Sequence, residues 1–335
     1  MKAMEMRPFG RTGLRFSVLG FGCGAVGGLM VRGSPSEQER AIARALEAGV
    51  NYFDTAVQYG DGESEKNLGR VLAGLAPADV VIGTKVRIRS ADFSRIGETV
   101  TSSLEGSLSR LGRPSVDLFH LHNAITLRGG GESLSVAQVL GEVVPAFERL
   151  RREGKLRVLG LTAVGETAAL HQVIDAGAFG SAQVSYNMLN PSAAAKLRPD
   201  YPAQDYGRLL ERTEAAGAGV IGIRVLAGGA LSGSDVRHAI ASPPPAPIGS
   251  GTSYTADLAR ARRLLPLVAE GFAESLAEAA IRFVIAEPRI GTILVGMASQ
   301  EEFEFALAAV GKGPLPGAAL DRLAALQQDF AGETR

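Results

Sequence analysis

The sequence predicts an α/β protein folded as a (β/α)₈ barrel, on three observations. Eight short apolar runs recur along the chain, at Val18–Gly22, Val50–Asp54, Val80–Lys85, Val116–His122, Val158–Thr162, Ala182–Ser185, Val220–Val225 and Thr292–Val295. Stretches with helical spacing of apolar residues separate them. The runs are apolar on both faces, as parallel strands buried under crossover helices are. The 335 residues accommodate such a barrel, for which about 250 is typical, with room for additions. A doubly wound open sheet is the competitor. Gly20-Phe21-Gly22-Cys23-Gly24 follows the first run but lacks the third glycine of a dinucleotide fingerprint, and no helical pattern follows it closely. One barrel domain over residues 1–335 is therefore expected, since no shift in composition marks a linker.

Taken in order, Arg7–Phe16 places Arg11-Thr12-Gly13 between Phe9 and Leu14, which reads as a hairpin that plugs the bottom of the barrel. Ser36–Ala48 opens at Ser34-Pro35-Ser36 and closes at Gly49, a helix with start and stop signals. Ser64–Leu75 starts after Asp61-Gly62. In Ser94–Leu111, Ile96, Val100, Leu104, Leu108 and Leu111 fall on one helical face, and Val139, Leu140, Val143, Phe147 and Leu150 do the same in Ser135–Glu153. After the seventh run come a Pro-rich loop, Ser242–Gly251, an extra helix, Asp257–Phe272, and a further helix, Ser275–Glu287. The tail has another helical pattern in Pro314–Phe330.

Composition narrows the function classes. Lys plus Arg is 35 and Asp plus Glu is 35, so the net charge is zero and there is no electrostatic case for nucleic acid or an anionic membrane as partner. A single cysteine excludes an intramolecular disulfide framework and a cysteine zinc cage. The start, MKAMEMRPFG, has no apolar core of a signal peptide, and the longest uncharged run, Phe16 to Val31, is too short and glycine-rich for a span. The expectation is a cytoplasmic enzyme acting on a small molecule. No feature of the sequence specifies an oligomeric state.

Barrel chemistry takes place where strands end. The second run ends in Asp54, with Tyr59 five residues on; the third ends in Lys85 and the fourth in His122. A tyrosine hydroxyl, with an ordinary pKa of about 10, is a poor proton donor at neutral pH. An ammonium beside it favours the phenolate, a carboxylate holds the ammonium in place, and a neutral histidine can orient a carbonyl oxygen. Together they describe proton donation to a developing alkoxide, the partner of hydride transfer to an aldehyde or ketone. Singly, each has a plainer role: Asp54 and Lys85 as a structural ion pair, Tyr59 as a wall, His122 as a core histidine of the kind expected at His120. A metal-dependent barrel hydrolase would need a ligand cluster that four histidines, with Asp54 beside Lys85, do not supply.

The segment from Tyr52-Phe53-Asp54-Thr55-Ala56 through Tyr59-Gly60 and Ser64-Glu65 to Leu68-Gly69 resembles the signature of the aldo-keto reductase superfamily. Thr84-Lys85, Asp117-Leu118-Phe119-His120-Leu121-His122, Gly154-Lys155-Leu156-Arg157-Val158-Leu159-Gly160, Gln183-Val184-Ser185-Tyr186-Asn187 and the early Gly10-Arg11-Thr12-Gly13 match further family segments in order. The resemblance covers nearly the whole chain. It implies a barrel with NAD(P)H extended across its mouth and a catalytic tetrad of Asp54, Tyr59, Lys85 and His122, with Tyr59 as general acid in reduction and base in oxidation of an aldehyde, ketone or sugar lactol. It also implies that Gln183 and Thr162 hold the carboxamide, that Gly22 and Cys23 lie beside the cofactor, and that Leu226, Gly228 and the Leu231–Gly233 stretch line the diphosphate. A cofactor-binding regulatory or interaction subunit on the same fold is the alternative.

The chain departs from the family pattern in places. Thr162-Ala163 stands where Ser-Asn is common, and Ile223-Arg224-Val225 where an aromatic often stacks on the nicotinamide. Arg224 contacts a cofactor phosphate, closes the pocket, or forms a rim ion pair. After the eighth run, Gly296 is followed by Glu301-Glu302, where the family usually grips a 2′-phosphate with basic residues. The resemblance implies NADPH; a carboxylate at Glu302 favours NADH, unless both glutamates merely complement the helix dipole. Cys23 is expected at the mouth beside the nicotinamide, either as a small apolar filler or as a group that a thiol reagent would find. Substrate walls are expected from the loop Asn123–Gly131, able to move over the mouth, with Asn123 in the pocket, from the Pro-rich loop and from the tail Pro314–Arg335.

Overall fold

The computed structural model describes residues 3–234 and 236–330. Eight parallel strands close into a barrel: β1 Leu19–Gly22, β2 Tyr52–Asp54, β3 Val81–Val86, β4 Val116–Leu121, β5 Leu156–Thr162, β6 Ser181–Ser185, β7 Gly219–Ile223 and β8 Ile290–Gly296. They run around the barrel in chain order, β8 pairing with β1 through Ile293↔Leu19 to Gly296↔Gly22. Each strand coincides with an apolar run, to within a few residues at its ends.

The helices follow from their caps and faces. Pro35–Glu47 starts from Ser34, whose hydroxyl accepts from Glu37 N–H while Glu37 reaches back, a capping box that satisfies otherwise orphaned donors. Glu63–Leu75 starts after Asp61-Gly62 as expected, and Ile96–Leu111 buries its predicted stripe after a 3₁₀ turn at Ser90–Arg95. The expected helix Ser135–Glu153 runs as Val136–Gln138, a π turn at Val139–Val143 and Val144–Arg152. The irregularity falls where Pro145 has no N–H to give to the helical ladder. The expected extra helix divides into Tyr254–Arg262 and Pro266–Ala269 for the same reason, broken before Pro266. The tail helix is Gly317–Gln328; residues 331–335 of the expected tail wall lie outside the described residues.

The hairpin, Met6–Pro8 paired with Arg15–Ser17, closes the N-terminal end of the barrel. Arg11 N–H donates to Gly217 O at 2.8 Å, and Arg7 donates to Ile290 O and Ile285 O, which ties the plug to the start of β8 and the end of the preceding helix. Phe9, Leu14 and Phe16 join Tyr52, Val81, Leu118, Val158 and Ile221 in a core of their own inside the barrel. The larger core lies between strands and helices.

Strand parity sorts the side chains. Outward residues such as Phe53, Val86 and Leu121 belong to the helix-facing core, while Tyr52, Leu118 and Val81 face the barrel interior. The strand residues Asp54, Lys85 and Gln183 are each at most 3% exposed and lie together inside the barrel. His120 is fully buried there and shares a 3.0 Å hydrogen bond with Ser181 Oγ, as expected of a core histidine.

Among the described residues no helix is long and apolar enough to cross a membrane. One packing constraint is directly testable. Gly160 pairs in register with His120, and a Cβ at Gly160 would lie 2.3 Å from the His120 ring. Gly160→Ala should therefore cost about 1–3 kcal/mol by overpacking. A urea titration followed by circular dichroism should show an earlier midpoint; an unchanged midpoint would refute this packing.

Candidate active site

The site is built around a buried ion pair. Lys85 Nζ lies 2.5 Å from Asp54 Oδ1, with side chains 1% and 5% exposed. The ammonium also donates to Thr55 O at 2.7 Å. The other carboxylate oxygen, Oδ2, accepts from Tyr52 Oη at 2.8 Å and from Gln183 Nε2 at 2.7 Å. Removing two charges from water is costly unless their remaining hydrogen-bonding capacity is filled, and here it is.

Local sequence sets the positions. Asp54 is the last residue of β2 and its neighbour Thr55 bonds N–H to Gly83 O. Ser64 Oγ donates to Cys23 O and shares a 2.8 Å bond with Thr55 Oγ1, so the signature serine fastens the ends of β1 and β2 to the next helix. Glu65, fully buried, accepts from Thr84 Oγ1 at 2.5 Å and from Arg110 Nε at 2.6 Å, which fixes the strand bearing Lys85. Sequence reasoning quoted Ser64-Glu65 as a motif without a role. The signal it passed over was parity: Tyr52 stands two residues before Asp54 on the same face of β2.

Tyr59 comes from the turn after β2 and is half-buried. Lys85 Nζ lies 4.7 Å from the centre of its ring, and His122 meets it edge-on at 6.2 Å between ring centres. The structure thus brings all four predicted residues together. Burial pushes the Tyr59 phenol above its ordinary value; Lys85 pulls it down, but with Asp54 also pushing up, the net shift is upward. The ammonium acts on the phenol in the expected direction, and burial outweighs it. Burial, with Lys85 and Arg87 nearby, pushes His122 down to about 3, so its imidazole is neutral. Lys85 is lowered by burial but raised by Asp54 and Tyr59, and ends above its ordinary value, fully charged.

The residues assigned to the cofactor fall at the ends of β5 to β8 and β1. Thr162 Oγ1 donates to Gln183 Oε1 at 3.0 Å, so these two form one polar unit beside Asp54. Arg224 follows β7 with φ +58, a left-handed conformation unusual for a side-chain-bearing residue. Its carbonyl is held by Asn187 Nδ2 at 3.0 Å and Ala227 N–H at 2.8 Å. Its guanidinium is partly buried beside Gly228, within 3.1 Å of where a Cβ on that glycine would stand. Burial lowers its pKa, and among the described residues it has no hydrogen-bond or ion-pair partner, which removes the rim ion-pair reading. Gly228 and Gly229 both have positive φ, so the turn exposes backbone at Leu226–Gly229. Gly22 and Gly296 pair at the ends of β1 and β8.

Three expectations, for Cys23, Asn123 and the loop after it, need correction. Cys23 is 1% exposed and burial pushes its thiol far up, so it is packed core rather than a reactive group at the mouth. Asn123 is 1% exposed and all its polar atoms meet backbone: Oδ1 accepts from Ile88 N–H at 2.8 Å, and Nδ2 donates to Ile88 O at 2.7 Å and Glu132 O at 3.0 Å. It is a clamp, not a pocket wall. The loop that follows is tied down by Ile125 N–H to Val164 O and Leu134 N–H to Ala124 O, and so is no free flap. Glu302 Oε2 accepts from Ala298 N–H at 2.7 Å, and Ser299 caps the helix Gln300–Gly311. The glutamate is thus occupied at the helix N-terminus.

The family model for the aldo/keto reductase family matches residues 18–328. L-galactose dehydrogenase of Arabidopsis thaliana is 29% identical over 92% of this chain and 89% of its own length. Pyridoxal 4-dehydrogenase of Microbacterium luteolum is 27% identical over 90% and 92%. An aldo-keto reductase from Bacillus halodurans, solved in its holo form, superposes with a TM-score of 0.69 at 23% identity, over 99% of this chain and 98% of that one. The chain belongs to the aldo/keto reductase family, oxidoreductases that act on carbonyl compounds and sugars with a nicotinamide cofactor.

Proposed function

We propose that the protein transfers hydride between a nicotinamide nucleotide and the carbonyl carbon of an aldehyde, ketone or sugar lactol, with Tyr59 as the proton donor. The observation that carries this reading is the stack of a protonated phenol, a charged ammonium 4.7 Å from its ring and a neutral imidazole at its edge. The residues at the ends of β5 to β8 fit the nucleotide by their chemistry. A hydroxyl–amide pair, Thr162 and Gln183, complements a carboxamide. Arg224, partly buried without a partner anion among the described residues, together with the open backbone at Leu226, Gly228 and Gly229, suits a diphosphate. Gly22 and Gly296 allow close approach at the β1–β8 edge. The bound nucleotide supplies or accepts the hydride.

The chain's own groups handle the proton. Tyr59 Oη gives its proton to the oxygen that gains charge as the carbonyl carbon is reduced. Lys85 favours the phenolate left behind, and Asp54 keeps that ammonium in place. His122, being neutral, donates a hydrogen bond to the same oxygen without competing for the proton. In oxidation the roles reverse, and the high Tyr59 pKa makes deprotonation the harder step.

NADH is the proposed partner rather than NADPH. An anion from the protein, Glu302, already takes Ala298 N–H near the helix start where the family resemblance puts a 2′-phosphate. A relative from Escherichia coli, 27% identical over 58% of this chain, is named an NADH-specific methylglyoxal reductase.

Tyr59→Phe should lower kcat/KM for aldehyde reduction by about 10²–10⁴, read as nucleotide absorbance loss; full activity would refute the proton donor. The pH profile of reduction should show no histidine inflection between about pH 5 and 8, because His122 takes up a proton only near pH 3. It should fall only on the alkaline side, above tyrosine's usual value of about 10, as Tyr59 loses its proton; an inflection near neutrality contradicts these assignments. NADH should bind tighter than NADPH by calorimetry, and the reverse order would overturn the reading of Glu302.

A further inference from the structure

Beyond Lys85 the chain continues along the same face. Val86 and Ile88 are fully buried in the helix-facing core, so Arg87 and Arg89 alternate onto the side that Lys85 occupies and emerge, exposed, above it. With Gln58 and Glu132 they line a cleft of 370 Å³. Gln58 Oε1 lies 3.4 Å from His122 Nδ1, so this cleft opens directly beside the tetrad. Asn123 assembles it: its amide grips both backbone groups of Ile88, between the two arginines, and the carbonyl of Glu132 opposite.

The charges in the cleft do not cancel. Glu132 turns its carboxylate to Ser90, accepting from Ser90 Oγ at 2.6 Å; Arg87 and Arg89 attract it through space without a hydrogen bond to it. Among the described residues neither Arg87 nor Arg89 has a hydrogen-bond or ion-pair partner of its side chain. Two guanidinium groups against one carboxylate leave the cleft cationic, although the chain as a whole is neutral. The cleft also faces away from the nucleotide residues: in the barrel order β3 stands four places from β7. Its cations are therefore badly placed for the cofactor phosphates and well placed for a substrate entering beside His122.

We infer that Arg87 and Arg89 bind an anionic group, carboxylate or phosphate, on the substrate, so that the carbonyl compound is an acid bearing its charge a short chain away from the reacting carbon. This rests on the redox reading of the tetrad. Guanidinium pairs recognise both oxyanions by two parallel hydrogen bonds.

The test compares matched pairs at saturating nucleotide: 4-oxobutanoate against its methyl ester, and glyceraldehyde 3-phosphate against glyceraldehyde. The wild type should favour the charged member in kcat/KM by at least about tenfold, the scale of a hydrogen bond to a charged group. The carboxylate and phosphate arms tell which oxyanion it is. The preference should shrink in added salt, collapse towards unity in the double variant Arg87→Gln, Arg89→Gln, and grow in Glu132→Gln. Reduction of the neutral members with equal or greater efficiency overturns the inference while leaving the redox reading standing. So does a double variant that keeps its selectivity but loses nucleotide affinity. If no member of either pair is reduced, the redox reading fails and this inference falls with it.

Discussion

A carboxylate and an ammonium buried together must each replace the water they lose, at a cost of several kcal/mol per ion. Asp54 and Lys85 do so within one small constellation: a 2.5 Å contact to each other, Thr55 O for the ammonium, and Tyr52 and Gln183 for the second carboxylate oxygen. Each of those partners belongs to the barrel wall. Placing the pair correctly therefore requires the barrel to be closed with β2, β3 and β6 in register. Everything proposed about proton transfer at Tyr59 depends on that pair, because its ammonium is the charge nearest the phenol.

The floor of the barrel supports the same point from below. Phe9 stacks on Phe16 at 4.0 Å and Phe16 on Tyr52 at 4.7 Å, and the Tyr52 hydroxyl ends on Asp54. The hairpin plug is thus joined to the carboxylate by a continuous aromatic column. Gly83 leaves the room that Tyr52 needs, since a Cβ there would fall 2.6 Å from its hydroxyl. Apolar packing below and hydrogen bonding above position one oxygen pair between them. Around the mouth the two sides differ in character: β7 and β8 present glycine-rich backbone and one partly buried guanidinium, while β3 and β4 present a neutral imidazole and a cationic cleft.

Much of this was legible from residue order. The eight strands, the plug, most helix boundaries and the four tetrad positions all follow from local patterns, because periodicity, caps and strand-end position are properties of neighbours in the chain. Asn123 was misjudged for a different reason: its polar atoms are answered mainly by a group far away in sequence, the backbone of Ile88. It looked like a pocket wall and is a clamp, and Cys23 looked accessible and is enclosed by packing that its place after a strand does not reveal. The net direction of the Tyr59 shift was not legible for a related reason. The attraction of an ammonium can be read from motifs, but the depth of burial opposing it comes from the packing of the whole wall.

The sequence by itself determined the fold class and the identity of the groups that meet at the mouth, because strand parity and strand-end position dictate which side chains point into a barrel once one forms. Only the tertiary structure decided which charges are cancelled. Asp54 is answered by Lys85, and Arg260, which is 2% exposed, by Asp257; Arg224 and the Arg87–Arg89 pair are left open among the described residues. Electrostatic energy depends on distance and burial in space, and a neutral total of equal numbers of acids and bases carries no information about either.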